Sequence, residues 1–248
     1  MSSFADYLEN KLLDHVFGNT VFQAEGAELV SSYFTARMID GSAFWYLMFL
    51  NGLYGGHLPQ TYAVPRDTFV RSRELWLGRT AVQLFEFTDS TTVAGESVDV
   101  TMAWFPQSKV LHVADTVWPG SHTFFADGTS VPDWFIQLAH IRELVNELEP
   151  RVIVPGHGAP GDRGMIDAQE RYLRAVVRMV EDHCRGGEVP LTDEAKAKLR
   201  RDIVNEFPDH RNQIPLDISL QLLQMLGPLA FLVGRPGGGT AARLPTFL

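Results

Sequence analysis

A single cysteine, Cys184, occurs among the 248 residues, so no disulfide can close within the chain and a reducing compartment suits it. Basic runs are missing as well. With a net charge of −9 and no cluster of Lys or Arg, the chain lacks the footprint that phosphate backbones require, and nucleic acid is excluded as an expected partner. Long apolar runs are also absent. Residues 43–50 (AFWYLMFL) are too short to cross a bilayer, and residues 220–233 are interrupted by Gln221, Gln224 and the Gly227-Pro228 pair, so no transmembrane segment is expected. The opening MSSFADYLENK has neither the cationic start nor the apolar centre of a secretory signal, which points to the cytoplasm. No internal repeat is found. Among the histidines before residue 157, namely His15, His57, His112, His122 and His140, no pair stands at the short spacing that places two imidazoles on one metal.

What is present is enough for a sizeable core: 45% of residues are hydrophobic and 21% charged, as for one large domain with appended helices. Leu8, Leu12 and Val16 share a helical face over residues 5–17, with Asp6, Glu9 and Lys11 away from it. Helical or irregular structure is expected from there to residue 58. From Thr61 the period becomes two, and TYAV, TFV, ELWLG, TAVQLFEF, VDVTMAWF and VLHVAD read as strands. Turns are expected at Gly78-Arg79 and at residues 106–109. Trp134, Leu138, Ile141, Val145 and Leu148 then follow helical spacing behind Ser130 and Pro132, a capping signal. A short buried strand, residues 151–154, leads into PGHG. Further helices are expected over 166–183, 192–207 and 217–233, before a loose Gly/Pro-rich tail. The division this suggests is an N-terminal helix over 1–24, a main domain over 25–183 and a helical extension with tail over 184–248.

Three side chains at expected strand ends carry candidate chemistry. Asp115 stands at the mouth of VLHVAD, where a carboxylate can bridge cations or cap a turn. His157 follows a strand inside Pro155-Gly156-His157-Gly158, whose glycines let the backbone bend sharply; metal binding and simple hydrogen bonding both remain open for it. Glu96, beside Gly95, opens the strand SVDVTMAWFP and is either a ligand or a solvated strand-end charge.

The succession AGESVDVTMAWFPQSKVLHVADT, a helix near Trp134, and PRVIVPGHGAPGD resembles the second half of the metallo-β-lactamase superfamily, and within it the alkylsulfatase branch. Glu96 with Trp104-Phe105-Pro106 matches the glutamate and aromatic-Phe-Pro turn of that branch. Asp115 matches the acidic residue that bridges two zinc ions, and His157 matches the last histidine ligand. The similarity spans about residues 30–180. It implies an incomplete αββα sandwich in an α/β (α+β) fold with C-terminal helices, and metal-dependent hydrolysis of a small molecule such as an ester or sulfate ester. Glu96, Asp115 and His157 would bind one or two zinc ions, with Mn or Fe also suited to an O,O,N donor set. His112 and His122 are the candidates to complete the set.

The departures from that pattern are two. The His-x-His-x-Asp-His cluster of the superfamily is absent, so the chain is expected to lack the first half of the site and to be impaired or inactive. In TVWPGSHTFFADGTSVPDW no arginine follows the bridging acid, which weighs against sulfate. Residues 2–20 are similar to the start of small structural proteins of tailed phages, which implies a fusion near residues 20–25; a surface helix covering a sheet edge is the alternative. A noncatalytic relic or interaction protein, homo-oligomeric through exposed sheet or C-terminal helices, and a phage-related assembly protein stand beside the hydrolase.

Overall fold

The computed structural model describes residues 13–53, 56–86, 99–125, 129–184 and 191–227. The fold is mixed α/β. Its main sheet has five strands in spatial order β3-β4-β5-β6-β7: β3 (Ser72–Leu77), β4 (Thr80–Glu86), β5 (Thr101–Phe105), β6 (Val110–His112) and β7 (Val152–Val154). The strands of the first four are antiparallel neighbours, joined where the sequence signals turns. Leu77 pairs with Thr80 across Gly78-Arg79, and Gly78 takes φ +63, which a glycine adopts without steric cost. Phe105 pairs with Val110 across residues 106–109.

β7 breaks the pattern by running parallel to β6, and a parallel neighbour needs a crossover. That crossover holds a 3₁₀ turn (Ala114–Thr116) and α4 (Val131–Leu148). Ser130 caps α4 by accepting the Asp133 N–H at 3.4 Å, and Pro132 sits in the first turn, where its missing N–H costs nothing. The face spaced at three and four residues is the buried one: Trp134, Leu138 and Ile141 are fully enclosed. They pack with Met102, Leu111 and Ile153 from the sheet and with Tyr172, Leu173 and Val176 from α5 (Gly164–His183). Each such aliphatic side chain contributes about 1.5–3 kcal/mol by leaving water. α6 (Asp193–Glu206) and α7 (Gln213–Leu226) extend the same core through Leu199, Ile203, Leu216 and Leu220.

A smaller cluster forms among the N-terminal elements. α1 (Leu13–Val16) and α2 (Asn19–Ala24) precede β1 (Val30–Ser32), α3 (Tyr33–Leu53) and β2 (Asp67–Phe69), with β1 and β2 pairing in parallel as a separate two-stranded sheet. Val16 and Phe17 pack on Ile39, Ala43 and Leu47 of α3. The buried Asp99, just before β5, ties this part to the main sheet by accepting hydrogen bonds from the Ser32 and Thr35 hydroxyls, the latter at 2.6 Å.

The structure corrects four local expectations, the first being that residues 21–58 are helical or irregular, since β1 forms a strand there by pairing with β2. TYAV is irregular rather than a strand: two prolines, Pro59 and Pro65, bracket it, and among the described residues no strand pairs with it. The TFV segment pairs with β1 and not with the main sheet. α7 begins at Gln213, ahead of the expected residue 217, since Pro215 is tolerated in a first turn. Residues 1–12, most of the first expected helix and of the phage-like segment, lie outside the described residues, as does the tail from 228. Among the described residues no helix is long and apolar enough to cross a membrane.

Candidate metal centre

Because β6 and β7 are parallel and paired in register from Val110↔Val152 to His112↔Val154, their carboxyl ends open at the same edge of the sheet. Asp115 and His157 each lie three residues beyond the last of these pairs. Two backbone hydrogen bonds hold the chain past the strand ends: Val113 N–H to Val154 O at 2.9 Å, and Gly156 N–H to Ala114 O at 2.7 Å. Ala114 turns the backbone with φ +49, and the Thr116 hydroxyl donates to Val113 O at 2.6 Å, fixing the turn that presents Asp115. Gly156 is required here. A Cβ at that position would land on Oδ1 of Asp115 and lie 3.0 Å from its Cγ.

The two side chains meet directly, with His157 Nδ1 2.9 Å from Asp115 Oδ1. A third group arrives from a distant part of the chain: His15 of α1 places Nε2 3.0 Å from Asp115 Oδ2. Both imidazoles are about one-third exposed, whereas the carboxylate is 10% exposed. Their rings stand edge to face, 5.4 Å between centroids. Trp118 stacks on His157 at 4.2 Å with an interplanar angle of 7°, and its indole N–H donates to the carbonyl of Asp115 at 2.7 Å. Burial pushes the Asp115 pKa up, but hydrogen bonds and charge interactions with His15 and His157 outweigh it, and the carboxyl is held below its usual range.

One ligand atom from each of His15, Asp115 and His157 lies within 4.8 Å of the others. Two imidazoles and a carboxylate form a donor set used by zinc and by iron. Donors around a tetrahedral zinc ion are about 3.3 Å apart, given bonds of about 2.0–2.1 Å. The two imidazoles touch different oxygens of Asp115 and the three donor atoms lie within 4.8 Å of one another, so gathering them on one ion needs shifts of up to about 1.5 Å. Three protein donors leave a fourth position open on a tetrahedral ion, and the residue types fit a cation site.

Of the residues singled out in the sequence, the structure brings Asp115 and His157 together, while Glu96 lies outside the described residues. His15 was missed because its partner is a hundred positions away and no local spacing can signal it. No local spacing links the two histidines of the site: Asp115 draws His15 and His157 onto its two oxygens. His112 is close enough to feel Asp115 and His15, but burial dominates and lowers its pKa, and it is not one of the three donors. His122 belongs to another buried group, with Nδ1 3.2 Å from the Tyr172 hydroxyl and its ring 5.5 Å from that of His210.

No family model and no curated protein matches the chain. Solved structures similar to it include a metallo-β-lactamase from Pontibacter korlensis, at 19% identity and TM-score 0.46, covering 63% of this chain and 62% of that one. Another is the DIM-1 metallo-β-lactamase exposed to ceftazidime, at 14% identity and TM-score 0.43, covering 64% and 61%. VMB-1 at pH 5.5 follows with 16% identity and TM-score 0.44, covering 64% and 61%. The chain thus spans about three-fifths of the length of the solved structures it matches.

Proposed function

We propose that the protein is a metal-dependent hydrolase of the metallo-β-lactamase superfamily acting on a small-molecule ester, with His15, Asp115 and His157 as the cation ligands. The observation that carries this reading is the convergence of two imidazoles on both oxygens of one buried carboxylate. The motif likeness of residues 84–160 to the alkylsulfatase branch supports it. A divalent cation held there would supply Lewis acidity and make water a nucleophile near neutral pH. The protein's own contribution is to hold the carboxylate ionised and the two rings oriented, with Gly156 leaving room for the carboxylate. Zinc is the favoured ion, with manganese and iron as alternatives, and Glu96 is a further candidate ligand. A carboxylic ester is favoured over a sulfate ester, because residues 116–134 contain no arginine or lysine to hold a sulfate.

The test is hydrolysis of a panel of chromogenic carboxylic esters, an alkyl sulfate and a β-lactam, by protein stripped with chelator and then reloaded with zinc, manganese or iron. Turnover restored by metal and lost in Asp115→Asn supports the reading; metal-independent turnover, or none with any ion, contradicts it.

A second reading, a noncatalytic interaction protein, draws on Val70, Trp76 and Leu77, which are exposed beside and along the edge strand β3. Apolar side chains on an unpaired edge favour association with another chain. Sedimentation of the purified protein distinguishes it, since a concentration-independent monomer without turnover would leave neither reading standing.

A further inference from the structure

Trp118 is 5% exposed, and three separate contacts, two of its ring and one of its backbone, fix it against the site. Its face lies on His157, 4.2 Å away and 7° from parallel. Its indole N–H reaches the Asp115 carbonyl at 2.7 Å. Its backbone N–H donates to Oε1 of Gln169 at 2.9 Å, and Gln169 in turn donates from Nε2 to the Thr123 hydroxyl at 3.1 Å. Gln169 is itself buried in α5, so the strap after the 3₁₀ turn is anchored to a rigid helix on both sides of Gln169's amide.

We infer that Trp118 is a positioning residue, which sets the plane of the His157 imidazole and the backbone beneath Asp115 so that both side chains face the same point. A ring in parallel contact blocks rotation of the imidazole about its Cβ–Cγ bond, and an indole hydrogen bond to the carbonyl of the neighbouring ligand fixes the two relative to each other. The benefit for a cation rests on the reading proposed above; the orientation of His157 does not.

The test uses full-length protein carrying Trp118→Leu, which removes both contacts, and Trp118→Phe, which keeps a stacking ring. In metal-free protein, the His157 ring protons, assigned against His157→Gln, are expected upfield from the indole ring current. They should return towards free-histidine positions in Trp118→Leu and stay shifted in Trp118→Phe. Calorimetric zinc titration should show affinity about ten- to hundredfold weaker in Trp118→Leu, as for other groups that orient ligands, and within about threefold of wild type in Trp118→Phe. Unchanged ring-proton positions and unchanged zinc affinity in a folded Trp118→Leu would overturn the inference. Wild type that binds no zinc yet shows the shifted, Trp118-dependent signals would retain the positioning role and remove the cation reading instead. Should Trp118→Leu fail to fold, Gln169→Met loosens the same ring without removing it and should give the same changes in smaller measure; no change there would also count against the inference.

Discussion

Gly156 and Asp115 occupy space that a single methyl group would contest: a Cβ on Gly156 would fall on Oδ1 of the carboxylate. The carboxylate cannot swing aside freely, because His157 holds that oxygen at 2.9 Å and His15 holds the other at 3.0 Å. Gly156→Ala should therefore displace Asp115 from both imidazoles. The expected result is a loss of about 1–3 kcal/mol in stability, typical of overpacking. Zinc affinity should fall at least about tenfold, as when ligand orientation is disturbed. Chemical denaturation and calorimetry read the two effects.

His15 separates a cation site from a packing contact. Its ring is 32% exposed, but the Asp115 carboxylate it meets is only 10% exposed, so losing this partner in the metal-free protein should cost about 1–3 kcal/mol. His15→Ala should melt somewhat below wild type. Its zinc affinity should drop by about a hundredfold or more, since a ligand matters at least as much as a group that orients one. His112→Ala, half-buried nearby but outside the three donors, should bind zinc within about threefold of wild type.

Zinc should stabilise the protein by mass action. At a free concentration one hundred times the dissociation constant the gain is about 2.7 kcal/mol, or roughly 5–10 °C in Tm for a chain of this size. Scanning fluorimetry with zinc and then with chelator should show the rise and its reversal, with no rise in Asp115→Asn. The rise should shrink as pH falls, because imidazole ligands must be deprotonated to bind.

Acid stability should depend on His122. Burial, aided by the nearby His210 and Arg200 and opposed by Asp217, depresses its pKa to about 4 from an ordinary 6.5. Its Nε2 is buried without a hydrogen-bond partner. The folded protein thus binds this proton less readily than the unfolded chain does. The stability linked to it is complete above pH 6.5, falls as pH drops through the window down to about 4, and levels off below that. Urea unfolding across this window should show the slope in wild type and a shallower one in His122→Asn. Some slope should remain, since burial lowers the His210 pKa in the same direction.

Much of the fold could be read from local pattern, and the reason is visible in particular residues. Gly78, Ser130 and the Trp134–Leu138–Ile141 spacing each encode a structure formed within a few positions, and each is where the sequence indicated. Pairing choices were less legible, since TYAV and TFV have strand-forming side chains but which partner they meet depends on distant segments. The site divides along the same line. Asp115 and His157 follow adjacent parallel strands and sit in turns with their own glycine and proline signals, so each is marked locally. His15 lies in α1 with no such mark, and the packing of Val16 and Phe17 against α3 carries it to the sheet edge.

Crystals grown with zinc and measured on either side of its absorption edge would test the account most directly. It predicts an anomalous peak about 2.0–2.2 Å from a ring nitrogen of His15, a carboxylate oxygen of Asp115 and a ring nitrogen of His157 together. A zinc-bound structure with no peak among these three side chains, or with the ion held elsewhere, would contradict it.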